Sequence, residues 1–141
     1  MRLRGQVEML WLVARVFGST CVLPLRMRSA PLPVLLQRLT AHPRAGGIGA
    51  TSLNVERVAR VVERICQIRV FRSRLFPRAC VRQSFALYRA LTGLGYPVVI
   101  HFGVRKNGEM VAGHSWVTLH GQVIAERPSV GRFEPVYSYP T

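Results

Sequence analysis

The chain has 141 residues, enough for one domain with a real core. Hydrophobic residues make up 49% and charged residues 18%, which excludes a disordered tail. The formal net charge of +14 comes from 20 Lys+Arg against 6 Asp+Glu; Lys106 is the only lysine, and there is no aspartate.

A charge this positive fits an acidic partner: nucleic acid, an anionic membrane face, or an acidic protein or peptide. It fits solvated arginine faces equally well. No zinc-finger or RNP motif occurs, so no nucleic-acid partner is expected. The cysteines Cys21, Cys66 and Cys80 are odd in number, widely spaced and without a CxxC pair. That argues against a zinc site or a disulfide framework and for reduced thiols in a cytoplasmic chain. No metal and no cofactor is expected.

The N-terminus, MRLRGQVEMLWLVARVFGSTCVLPLRMRS, has basic residues followed by an apolar run, but Glu8 and Arg15 interrupt it. A cleaved signal or a membrane span is therefore not expected. An amphipathic helix is, with Leu10, Val13 and Phe17 on its apolar face and Pro24 as its end. It would pack on the domain or a partner, or make peripheral membrane contact. A short helix follows from Pro33 to about Leu39, then a Gly-rich loop over residues 43–53. These helices form an N-terminal segment, residues 1–45, ahead of a core at residues 54–141.

The next helix runs from Val55 to about Phe71, with Asn54 or Ser52 as its cap. Val55, Val58, Val62 and Ile65 form one stripe with arginines opposite. Cys66 borders that stripe and reads as a core residue. A further helix runs from Cys80 to Leu94. Cys80, Ser84, Leu87, Leu91 and Leu94 share a face, and Gly95 with Pro97 stops the helix.

Strands follow. PVVIHFGVRK and EMVAGHSWVTL flank an Asn107-Gly108 turn, and QVIAERP follows a His120-Gly121 turn. A two-residue loop at Asn107-Gly108 sets Lys106 opposite Glu109, His101 opposite His114 and Val99 opposite Trp116. The tail, SVGRFEPVYSYPT, reads as an irregular cover with aromatic anchors. The expected fold class is α+β: a nucleophile helix on an antiparallel sheet, with amphipathic N-terminal helices.

Cys80 opens a helix, near unpaired N–H groups and between Arg78 and Arg82. Both features favour a thiolate, the nucleophilic form; a small core hydrophobe is the other reading. The face of the hairpin that carries His101, His114 and Trp116 would receive the Cys80 helix and bring His114 to the sulfur. Without aspartate, the candidates to orient that histidine are Glu126 and, with less support, the cap residue Asn54 and the turn residue Asn107. A three-residue loop centred on His120 places Glu126 across from His114. A two-residue loop puts them on opposite faces. The order helix-cysteine, strand-histidine, strand-acid is that of papain-like and transglutaminase-like enzymes.

The run ACVRQSFALYRALTGLGYPVVIHFGV, followed by AGHSWVTLHGQVIAE, resembles the leader peptidase of lasso peptide biosynthesis, a transglutaminase-like cysteine protease. The matching elements are the Cys80 helix with Ser84 and Leu87, the Gly103-Val104 strand, and the His-x-Trp-Val of His114 to Val117. The resemblance implies removal of a leader from a ribosomally made precursor peptide. It implies Cys80 as nucleophile, His114 as base and then acid, and Glu126 at the acidic third position, where the family commonly has aspartate. From the residues, His101 reads as a wall of the substrate site and Trp116 as core or a substrate platform. The resemblance also implies a separate leader-recognition protein and an ATP-dependent cyclase that takes the freed core peptide. From the residues alone, a non-catalytic module presenting a basic face to a peptide or protein partner stays open.

Overall fold

The structure is a computed structural model that describes residues 2–40, 53–125 and 133–140. Its order is α1 (Arg2–Ser29), α2 (Leu32–Leu39), α3 (Val55–Cys66), a 3-10 turn (Arg69–Arg72), α4 (Ala79–Gly93), β1 (Val98–Asn107), β2 (Met110–Leu119), β3 (Gln122–Ile124) and β4 (Glu134–Tyr139). The four strands form one sheet in the order β3-β2-β1-β4, with every neighbouring pair antiparallel. The fold is α+β, with α4 lying between the sheet and the other helices.

The first helix does not end at Pro24; it runs through it to Ser29. An interior proline costs on the order of 3 kcal/mol, and burial of Leu23 on the core offsets it. The face is also corrected. Leu12, Val16, Thr20 and Leu23 are buried, while Leu10 is 70% exposed and Val13 and Phe17 are exposed beside it. The helix carries two apolar stripes, and periodicity alone could not say which one meets the core. Read through Pro24, the helix is long and apolar enough, by length and composition alone, to cross a membrane. The sequence had pointed away from any such stretch.

α3 begins as its sequence predicts. The Asn54 Oδ1 accepts the Arg57 N–H at 2.9 Å. Val58, Ala59, Val62, Ile65 and Cys66 are buried. The helix stops at Cys66 rather than Phe71, and the chain turns so that Phe71 enters the core while Ile68 stays outside. Phe71 packs edge-on against Phe17 and Phe76, with centroids 5.3 and 5.1 Å apart. α4 buries Ser84, Leu87 and Leu91 along the predicted face, and Leu94, just past its end, is buried with them. Gly95, at φ 89°, takes the left-handed stop, and the Tyr96 N–H closes onto the Leu91 carbonyl.

The β1–β2 register differs from the expected one by two residues. Asn107 pairs with Met110, His101 with Trp116, and Gly103 with His114. The turn residues are Gly108 and Glu109. Gly108 has φ 65° at the first central position, where a type II′ turn needs glycine. A shift of two preserves the faces. His120 and Gly121, at φ 51° and 79°, form the second turn. The tail is not an irregular cover: residues 134–139 add a fourth strand beside β1.

Candidate active site

Cys80 is the second residue of α4 and is partly buried. Backbone N–H groups in this first turn have no partner within the helix. Below it, the Ser84 hydroxyl donates to the Cys80 carbonyl at 2.7 Å, one helical turn away. The same hydroxyl meets the Ser115 hydroxyl of β2 at 2.6 Å, and Ser115 is fully buried. Phe85 packs on Phe102 of β1, centroids 5.9 Å apart. The opening turn of α4 is thus tied to the strand residue that follows His114.

These contacts also show which sheet face receives α4. It is the face of Ile100, Phe102, Ser115 and Val117. His114 alternates to the other face, with His101 and Trp116. The expectation that the His114 face would receive the Cys80 helix is therefore corrected. Both hairpin faces are apolar enough to be buried, so composition did not separate them. On β2 it is Ser115 whose side chain hydrogen-bonds to α4, through Ser84. Sequence reasoning placed Ser84 on the right face but gave Ser115 no part. The signal was its small size beside a helix face whose matching position is also serine.

On the far face the rings stack in a row. His101 lies 5.5 Å from Trp116, nearly parallel to it; Trp116 lies 6.1 Å from His114; His114 lies 4.8 Å from Phe133. The Arg105 guanidinium caps the row, 5.0 Å over the Phe133 ring. Phe133 was not singled out in the sequence, since it sits among turn residues. Trp116 is only 6% exposed, so its ring serves as core of this layer more than as an open wall. Both nitrogens of His101 are engaged, with Ser138 Oγ at 2.7 Å and Thr118 Oγ1 at 2.8 Å. Burial holds its imidazole below the ordinary 6.5. Gly103 lets the layers close: a methyl group there would stand 2.7 Å from the Trp116 ring and 2.8 Å from the Glu134 carbonyl.

The arginines beside Cys80 do not act as expected. Arg82 is 5% exposed and turns away, its Nη1 donating to the Phe71 carbonyl and, at 3.1 Å, to the Pro77 carbonyl. It braces the loop before α4. Arg78 is exposed and ends that loop. Burial pushes the Cys66 thiol up to about 11, against the pull of the neighbouring Arg82 guanidinium. Cys66 is thus a protonated core thiol at neutral pH, and Cys21 is exposed on α1.

For the third position, β3 decides the loop. Leu119 pairs with Gln122 and Val117 with Ile124, so His120-Gly121 is a two-residue loop. That register does not set Glu126 across from His114. The strand ends at Ile124, and Ala125 takes a left-handed φ of 57°. Glu126 itself lies outside the described residues. Among the described residues, no group of three or more His, Cys or Glu is arranged to hold a metal.

Two open grooves flank the helices. One, of about 680 Å³, lies between α1 and α3; the other, of about 590 Å³, lies between α3 and the β3 edge. Neither is lined by Cys80 or His114.

No curated protein and no solved structure matches the chain. Residues 19–138 match the transglutaminase-like superfamily, a span that contains α4, β1 to β3 and all of β4 but its last residue. A helix opening on cysteine, packed on an antiparallel sheet and covered over most of its length by that match, makes this chain a member of the transglutaminase-like superfamily.

Proposed function

We propose that the chain is a cysteine peptidase that removes the leader from a ribosomally made lasso precursor peptide. The observation that carries this reading is Cys80 in the opening turn of α4, a helix whose Ser84 meets Ser115, the residue that follows His114 on β2. Membership of a superfamily that includes cysteine peptidases supports the reaction class. In this reading His114 takes the Cys80 proton, and the sulfur attacks the carbonyl of the last leader residue. The oxyanion takes hydrogen bonds from the free N–H groups of the α4 opening, where one donor is typically worth about 3 kcal/mol. The protonated imidazole then gives its proton to the leaving amine, and water resolves the thioester. A separate leader-recognition protein presents the precursor, an ATP-dependent cyclase takes the product, and the chain works in the cytoplasm.

The reading requires the imidazole to reach the sulfur from the far face of β2. A methyl group at Gly113, which precedes His114, would stand 4.0 Å from the Gly103 carbonyl, an ordinary contact. The placement of His114 with Trp116 and Phe133, away from α4, favours a second reading: a non-catalytic binding module that keeps the fold. Mass spectrometry of a lasso precursor incubated with its recognition protein and this chain separates them. The peptidase reading expects free leader with the wild type and none with Cys80→Ala. Leader release that survives Cys80→Ala rules it out.

A further inference from the structure

The helix α3 divides its charges between two grooves. Arg57, Arg60 and Arg64, at spacings of three and four, line the groove shared with α1, where Arg2 joins them from the facing helix. Glu56 and Glu63 line the other groove, beside the β3 edge, and Arg60 lies between the two and lines both. The first groove therefore has four guanidinium groups and no carboxylate among its lining residues. Its remaining lining includes Met9, Val61 and Gly5, an apolar floor. At about 680 Å³ it is large enough for several side chains and too open to be a packing defect. Four like charges around one groove repel each other when it is empty, and a ligand that neutralises them relieves that cost.

We propose that this α1–α3 groove is a docking site for an acidic peptide segment that carries carboxylates three or four residues apart with apolar side chains between them. Arginine forks bind carboxylates in pairs of hydrogen bonds, and the spacing along α3 matches one face of a helical or turn-forming ligand. The apolar floor separates a peptide from a nucleic acid, whose phosphates would meet the arginines but leave Met9 and Val61 without a partner. The site lies apart from Cys80 and His114, so it stands or falls independently of the peptidase reading.

Fluorescence anisotropy with the full chain tests it. The probes are a labelled Glu/Leu peptide of that spacing, its Glu→Gln counterpart, and a random DNA duplex. The Glu/Leu peptide is expected to bind, to weaken as salt rises, and to weaken about tenfold or more when Arg60→Glu and Arg64→Glu are combined. The same double variant should leave circular dichroism unchanged, because both side chains are exposed. Charge reversal at the exposed loop residue Arg74 should leave binding as it was. Equal binding of the Glu→Gln peptide, tighter binding of the duplex than of the acidic peptide, or binding unchanged in the double variant each overturns the proposal.

Discussion

Arg82 is a buried cation whose Nη1 donates to the Phe71 and Pro77 carbonyls, while its buried Nε has no partner among the described residues. Replacing it with Met leaves two buried carbonyls unpaired, and the expected loss is about 2–4 kcal/mol in a urea melt. Sequence position had made it a partner of Cys80, but a side chain two positions along a helix points about 160° away, and burial decided its direction. Cys80→Ala removes little packing from a partly exposed turn, so its stability should change by less than about 1 kcal/mol while turnover is abolished. His101 adds a pH dependence. Burial depresses its folded pKa, so below its ordinary value of 6.5 the unfolded chain binds more protons. That contribution to stability is present above about pH 6.5 and is lost as pH falls through that value towards the folded one. Thermal melts should show the wild type losing more between about pH 7 and pH 5 than His101→Gln, which keeps hydrogen-bonding capacity without the titration. Equal losses would show that His101 is not the group responsible.

The Ser84–Ser115 contact joins α4 to β2, and Gly103 of β1 lets its neighbours β2 and β4 close against it. Ser84→Ala and Ser115→Ala should each cost about 1–2 kcal/mol, because each leaves a buried hydroxyl without its partner. The double variant should cost less than the sum, and a measured sum of two independent losses would show that the hydroxyls do not interact. Gly103→Ala should cost about 1–3 kcal/mol and disturb Trp116 fluorescence, since the new methyl group meets the indole and the Glu134 carbonyl. At this scale much was legible. The Asn54 cap, the Gly95 stop and the α4 stripe are local signals, and each is satisfied locally. The failures came where two local solutions tie. α1 has two apolar stripes, the hairpin has two apolar faces, and Asn107-Gly108-Glu109 offers two turns. Tertiary packing and turn conformation broke each tie. Pro24 and the β4 tail failed for a related reason: contacts far along the chain outweighed a local breaker and a weak strand pattern.

The molecule as a whole combines a family fold with a distinctive charge and an outward apolar stripe on α1. The α+β class was readable because a run of helical periods gives way sharply to alternating ones at Pro97. The site was only half readable. Chain order brought the Cys80 turn to the β2 strand, but strand parity, which a sequence cannot report without the packing face, turned His114 to the other side. The central claim is that Cys80 and His114 act on a peptide bond as one unit. The most direct test is the kcat/KM for precursor cleavage of the wild type, Cys80→Ala, His114→Ala and the double variant, measured with the recognition protein present. The account predicts that both single variants and the double variant fall to the same residual rate, because groups that act as a unit lose everything with the first removal. A His114→Ala enzyme that keeps most of the wild-type rate, or a double variant whose loss is the product of the two single losses, would contradict it.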